Sequence, residues 1–380
     1  MTELHTSFRH QASLLPKIQG LPIALRRNIY LVTLVERDER FMRVALDEAR
    51  RAIGLTSPNP TVGAVLVLDN RIVAHGHHRQ AGAPHAEIEC LRTFARAIPA
   101  RSTLYVTLEP CSTVGRTGPC VRQIIESGVK NVVIGAIDVN PRHSGRGVSL
   151  MRDAGIRVQT GVLTDECVAL NEAFNKWIVT RRPFVIAKCG MSLDGRLTRP
   201  PEESRWITSV AARRHARELR GTVDAVLVGA NTIKIDNPRL TMRGISGKNQ
   251  PWRIVLSRSG ALPKRATVFT DRFAKRTMVY RNKSLHAVLK DLGQKDITSV
   301  LIEGGGEILR QALDQHLIDK LQVYIGPILT GGPVVAFAGR GAASTQEAPR
   351  LARPTYQQIE NDICITGYPI YPKPAGKRII

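Results

Sequence analysis

Several things are scarce in this sequence, and each scarcity removes a class of function. None of its 380 residues falls in a run approaching the ~18–20 uninterrupted apolar residues of a membrane-spanning helix. Six cysteines (Cys90, Cys111, Cys120, Cys167, Cys189 and Cys364) are too few and too scattered for a disulfide framework. A reducing compartment, the cytoplasm, with one metal or catalytic cluster is therefore expected. Aromatic residues make up only 5% of the chain, which leaves little material for a base-stacking platform. Acidic residues are also short, 32 against 55 lysines and arginines, for a net charge of +23. That excess suits a phosphate-bearing partner. The arginines are spread along the chain rather than gathered in one run, so a phosphorylated small molecule is expected and nucleic acid is not. There is no fixed-period repeat and no low-complexity tract, and the 43% hydrophobic content fits a soluble globular protein of two domains.

Residues 1–40 are basic and mildly amphipathic, with no small-residue cleavage site behind an apolar core, and read as a leader or disordered extension. Regular patterning starts at Phe41, where apolar residues at helical spacing predict a helix over 41–54. Strands follow at 62–68 and 71–76, and a helix starts near Pro84. Then come strand 104–107, helix 119–127, strand 132–137, helix 147–154, strand 156–158 and helix 164–179. This is an α/β layered domain over 41–180. Beyond Thr180-Arg181-Arg182-Pro183 the pattern restarts as a second α/β domain over 181–380. Its predicted elements are strand 184–188, helix 210–219, strands 224–229, 253–256 and 299–302, helix 307–313 and strand 321–325.

In the first domain His85-Ala86-Glu87 is followed by Pro110-Cys111 and then Cys120. Zinc accepts imidazole nitrogen and thiolate, and a catalytic zinc keeps three protein ligands with the fourth position for water. The metal makes that water nucleophilic near neutral pH. Zinc deaminases add a glutamate two residues after the histidine, which carries protons and does not bind the metal. His85, Cys111 and Cys120 are the expected ligands and Glu87 the proton carrier, with Cys120 in a first helical turn whose positive end would favour its thiolate. Eight residues separate the cysteines, not two, so the general deaminase signature is incomplete. His75, His77 and His78 read as solvated residues, and the other four cysteines as packing residues.

Pro58-Asn59-Pro60-Thr61-Val62-Gly63, Gly82-Ala83-Pro84-His85-Ala86-Glu87 and Thr107-Leu108-Glu109-Pro110-Cys111-Ser112 resemble the bifunctional deaminase-reductase family of riboflavin biosynthesis. So do Gly115-Arg116-Thr117-Gly118-Pro119-Cys120 and Asp138-Val139-Asn140-Pro141, and the long cysteine spacing is the family's own. The resemblance covers about 41–370. It implies a cytidine-deaminase-like domain followed by one similar in fold to dihydrofolate reductase, with Zn2+ and NADPH as cofactors. It also implies a homo-oligomer formed through the reductase domain. Two departures flank the ligands: Ser112-Thr113-Val114 stands where the family usually has a histidine, and Gly118-Pro119 where it usually has two prolines.

In the second domain, the resemblance implies that Gly190, Trp206, Thr208, Thr232, Asp236, Ser257 and the turn Gly305, Gly306, Glu307, Ile308 and Leu309 hold the cofactor. Ser204, Arg220, Leu240, Arg243, Glu303 and Lys188 would hold the substrate there, with Lys188 and Glu303 polarising the sugar's reacting end, and Asn59 is the implied substrate-binding residue of the first domain. Asn237 stands where the family more often has Asp, and Leu256-Ser257 lacks the Asp usually found there. Without the resemblance, Gly304-Gly305-Gly306 is as readily a tight turn as a phosphate cradle, and it is not a G-x-G-x-x-G fingerprint. The implied reaction is zinc-dependent removal of the ring amine of a diaminopyrimidinone ribosylamino phosphate, then NADPH-dependent reduction of ribosyl to ribityl. The rivals are a tRNA or nucleoside deaminase with an accessory domain, and an RNA-binding protein with a catalytically dead deaminase fold.

Overall fold

The computed structural model describes residues 23–94, 96–113, 118–197, 206–242 and 250–372. By its contacts the chain divides into two compact units, Met1–Arg51 with Thr61–Leu170, and Ala52–Pro60 with Asn171–Ile380. No helix among the described residues is long and apolar enough to cross a membrane.

The first unit is a five-stranded sheet in the order β2-β1-β3-β4-β5, built from β1 (Gly63–Leu68), β2 (Arg71–His77), β3 (Thr103–Leu108), β4 (Asn131–Ala136) and β5 (Arg157–Thr160). Strand β1 runs antiparallel to β2 and β3, whereas β3, β4 and β5 are parallel. Around the sheet lie α1 (Ile23–Arg50), α2 (Ala86–Phe94), α3 (Cys120–Glu126), α4 (Arg146–Asp153) and α5 (Thr164–Leu170). The inner strands β1, β3 and β4 are apolar runs buried along almost their whole length, as strands covered on both faces must be. Helix α2 presses on β2 at Gly76, where a Cβ would come within 2.5 Å of the Cys90 backbone nitrogen.

Two expectations about this half change. Helix α1 starts at Ile23, so the lead assigned to 1–40 is helical over its second half, and residues 1–22 lie outside the description. Asp38 is buried and accepts a 2.7 Å hydrogen bond from the Tyr105 hydroxyl, which ties the supposed extension to β3. Charges at Arg26 and Arg27 and again over 36–40 flank the apolar stretch there and hide the helical period. The single helix expected over 164–179 is two, α5 and α6 (Glu172–Thr180), separated at Asn171. Helix α6 groups with the second unit. There Trp177 donates to the Gly293 carbonyl at 2.8 Å, Lys176 pairs with Asp319, and Glu172 meets Lys320 at 2.8 Å and the Tyr368 hydroxyl at 2.7 Å.

The second unit is an eight-stranded sheet, β12-β13-β11-β6-β10-β7-β8-β9. Its strands are β6 (Phe184–Ser192), β7 (Ala225–Gly229), β8 (Trp252–Ser257), β9 (Thr277–Arg281), β10 (Ser299–Ile302), β11 (Lys320–Gly326), β12 (Arg350–Ile359) and β13 (Asp362–Ile370). The six strands from β11 to β9 are parallel, and the hairpin β12–β13 adds antiparallel to β11. Helices α7 (Val210–Glu218), α8 (Ala230–Asp236), α9 (Thr267–Thr270), α10 (Leu285–Gln294) and α11 (Gly306–Asp314) connect them. Strand β6 runs on to Ser192 because β11 pairs with it as far as Gly326, so Lys188 sits mid-strand instead of ending it.

Candidate metal centre and cofactor cleft

Strands β3 and β4 are parallel neighbours, and the segments leaving their carboxyl ends carry Glu109-Pro110-Cys111 and Asp138. This is where open α/β sheets place ligands. Helix α2 begins at Ala86, which puts His85 at its mouth and Glu87 in its first turn. His85 Nδ1 lies 3.0 Å from Cys120 Sγ and 3.6 Å from Cys111 Sγ. All three ligand atoms lie within 4.8 Å of one another, the one such group among the described residues. A tetrahedral zinc with one imidazole and two thiolates needs edges of about 3.5–3.8 Å. The donor set fits that metal.

Electrostatics sharpen the assignment. The hydrogen bond between the two thiols favours a single negative charge shared by Cys111 and Cys120, with burial opposing it. The backbone N–H of Cys120 donates to Cys111 Sγ at 3.3 Å. That N–H, at the start of α3, stabilises negative charge on the Cys111 sulfur as well. Hydrogen bonding to Cys111 raises His85 against the opposing effect of burial. Glu87 is 3% exposed, and burial raises its carboxyl above the ordinary range. A carboxyl that holds its proton more readily is suited to passing one on.

Three side chains around this centre had escaped the sequence reading. His78 is buried rather than solvated: its Nδ1 is 3.0 Å from the Pro84 carbonyl, and its ring stands edge-on to His85 at 5.2 Å. His75 and His77 point elsewhere, to Glu48, at 3.2 and 3.1 Å. Glu109 is buried and accepts four backbone N–H bonds from the 138–148 region. His143 reaches Ser112 and Thr113, so an imidazole arrives from another loop at the segment that has none of its own. His78 had a signal in its place just after β2; His143 had none, because only tertiary structure brings it there.

In the second unit the predicted residues form two groups. Arg220 and Glu303 make a two-pronged ion pair, Nε to Oε1 at 2.8 Å and an Nη to Oε2 at 2.6 Å, while the guanidinium also donates to the Thr241 carbonyl at 3.1 Å. Lys188 belongs with them, since its charge helps hold the Glu303 carboxylate. A Cβ on Gly190 would lie 3.8 Å from Lys188 Nζ and 3.9 Å from the Thr208 side chain, so those three residues share one corner. Leu240, beside Thr241, is buried in a left-handed backbone conformation at φ 52°.

The other group lines a cleft of about 1230 Å³ at the carboxyl ends of β7, β8, β9 and β10. Thr232, Asp236 and Ser257 line one part, and Gly305, Gly306, Glu307 and Ile308 another. Leu309 packs its side chain in the core instead. Trp206 is half exposed, with the Arg213 guanidinium 4.5 Å over its ring. Asn59 lies in the Ala52–Pro60 segment that groups with this unit. Ser204 and Arg243 lie outside the described residues. Arg258 and Lys283 also line the cleft, each just past the end of a strand, and the Arg258 charge helps hold the Glu307 carboxyl below its ordinary value. The sequence reading passed them over, and β9, which delivers Lys283, had not been predicted.

Residues 183–365 match the family profile described as RibD C-terminal domain, and residues 35–136 that of the cytidine and deoxycytidylate deaminase zinc-binding region. The RibD protein of Aquifex aeolicus is 36% identical over 350 residues, covering 87% of this chain and 98% of the relative. The chain belongs to the RibD family. Its Synechocystis relative is 39% identical over 87% of this chain and 96% of its own length. Among solved structures, Acinetobacter baumannii RibD superposes with a TM-score of 0.81 at 33% identity, covering 88% of this chain and 99% of that one. The Thermotoga maritima diaminohydroxyphosphoribosylaminopyrimidine deaminase/5-amino-6-(5-phosphoribosylamino)uracil reductase superposes with a TM-score of 0.80 at 34% identity and the same coverage.

 The family is that of bifunctional deaminase-reductases of riboflavin biosynthesis, with a zinc-binding deaminase region ahead of a reductase domain, and this chain carries both. The match runs through the reductase half, which a tRNA deaminase with an unrelated accessory domain would not show.

Proposed function

We propose that the first unit hydrolytically deaminates 2,5-diamino-6-ribosylamino-4(3H)-pyrimidinone 5′-phosphate, and that the second reduces the ribosyl side chain of the product to ribityl with NADPH. The observation that carries the reading is the convergence of His85, Cys111 and Cys120 beside the buried Glu87, on a chain whose other unit holds a cofactor-sized cleft. Zinc held by the three ligands would supply the Lewis acidity that makes water nucleophilic near neutral pH. Glu87 takes one proton from the attacking water and delivers it to the ring nitrogen, then carries the second, from the hydroxyl of the tetrahedral adduct, to the amine that leaves as ammonia. In the second unit Arg220 holds the Glu303 carboxylate in one orientation, and Glu303 and Lys188 together orient the reacting end of the sugar. The cofactor supplies the hydride. The cations Arg258 and Lys283 at the cleft support NADPH over NADH, since the extra 2′-phosphate calls for positive charge. Asn59, Ser204 and Arg243 complete the substrate set on the strength of the resemblance. Tyr356, Ile363 and Ile370, exposed on β12 and β13, support self-association through the reductase unit. Six free cysteines support a reducing, cytoplasmic setting.

The test is to incubate the purified chain with the diaminopyrimidinone phosphate, with and without a nicotinamide cofactor. Ammonia release without cofactor is expected, followed by oxidation of NADPH in preference to NADH that depends on the deaminated product. Glu87→Gln should slow ammonia release by about 10²–10⁴-fold while NADPH oxidation on supplied deaminated product persists. Ammonia release unchanged in that variant would overturn the role given to Glu87.

A further inference from the structure

We propose that the loop Asp138–Gly147 is a clamp that positions the metal-bearing segment Glu109–Thr113, gripping it through Glu109 before Cys111 and through His143 after it. The proposal rests on the zinc reading of the site.

The first grip is a buried carboxylate with every acceptor position used. Glu109 Oε1 accepts from the backbone N–H of Gly147 at 2.8 Å and of Val148 at 3.3 Å. Its Oε2 accepts from Gly145 at 2.9 Å and from Asp138 at 3.2 Å. Two of those donors belong to the first turn of α4, whose positive end stabilises a negative charge. The approach is close enough to dictate sequence: a Cβ on Gly147 would lie 2.5 Å from the Pro110 carbonyl and 3.1 Å from Glu109 Oε1. None of these contacts takes part in the deamination chemistry.

The second grip runs the other way. His143, half-buried, accepts the Ser112 backbone N–H on Nδ1 at 3.3 Å. In the neutral ring, accepting at Nδ1 leaves the proton on Nε2, which lies 3.5 Å from Thr113 Oγ1. The Ser112 hydroxyl is also 3.3 Å from Nδ1. The backbone is thus held two residues before Cys111 and one residue after it. Groups behind a metal ligand set its orientation, and losing one costs about 10–100-fold in metal affinity or activity. His143 is therefore a positioning residue, acting on the zinc through Ser112 and Cys111.

The experiment measures zinc transfer from the full-length chain to a chromogenic chelator, for the parent, His143→Ala, His143→Asn and Glu109→Gln. Metal content of the parent is measured first, and NADPH oxidation on supplied deaminated product reports the integrity of the other unit. We expect His143→Ala to release zinc about 10-fold faster, with a lower deamination kcat and unchanged NADPH oxidation. Glu109→Gln should shift release in the same direction, because an amide N–H then faces backbone donors. Asn offers an oxygen to the Ser112 N–H, so His143→Asn should stay near the parent rate. Zinc release by His143→Ala or Glu109→Gln at the parent rate overturns the clamp. So does a parallel loss of reductase activity, or an Asn variant as fast as the Ala one. A parent chain that binds no zinc instead defeats the zinc reading itself, and the clamp with it.

Discussion

Glu303 keeps its charge where burial opposes it. Desolvation pushes its carboxyl up, but the Arg220 charge and hydrogen bonds, helped by Lys188, outweigh it and leave the carboxyl below its ordinary value. A carboxyl depressed in the folded state adds stability that is present above its unfolded pKa and is lost as pH falls through the lowered folded value. Removing the partner reverses the balance. Arg220→Met should destabilise the chain by about 3–5 kcal/mol, as expected when one member of a buried pair is left alone. It should also move the acid limb of reductase activity to higher pH. Thermal unfolding and a pH–rate profile for NADPH oxidation check both, and an unmoved acid limb would count against a role for the Glu303 charge. At this scale the sequence was most legible at the candidate metal centre, because His and Cys are scarce in this chain and the donor atoms of His85, Cys111 and Cys120 lie within 4.8 Å of one another. Arg220 and Glu303 are ordinary residues 83 positions apart, and no local pattern marks them as a pair.

Helix α2 owes its position to β2, and the active-site side chains ride on it. With the Gly76 Cβ position only 2.5 Å from the Cys90 nitrogen and 2.8 Å from the Ala86 carbonyl, no side chain fits there without moving the helix. Gly76→Ala should therefore cost at least about 1–3 kcal/mol by overpacking. Because the helix carries Glu87, ammonia release should fall while NADPH oxidation is spared, and paired assays of the two activities read this directly. Strong apolar runs such as β1, β4 and β10 were legible as strands because burial on both faces makes them near-continuous. The hairpin β12–β13 was not, since its outer strand is largely exposed and lacks an apolar run. Helices α8 and α10 were also missed, as was the early start of α1, where charged residues interrupt the period.

Across the molecule, the division of the chain does not follow its sequence order. Helix α6 lies next to the deaminase region in sequence but builds the second unit, and Trp177, 5% exposed, is its anchor. Trp177→Ala should remove about 3–5 kcal/mol, the cost of emptying a buried aromatic site. The loss should fall on the reductase: after graded heating, NADPH oxidation should disappear at lower temperature than in the parent, while ammonia release survives as before. Loss of ammonia release first would place the helix with the deaminase unit.

The sequence alone determined the chemistry of the first site, the α/β class of both halves and the family. Those depend on residue types, short spacings and apolar runs, which are local. Tertiary structure decided where His78 lies, how Arg220 finds Glu303, and which unit claims α6 and Ala52–Pro60. It also brought His143 against the segment that carries Cys111. Each of these is a contact between distant parts of the chain, set by strand order and packing.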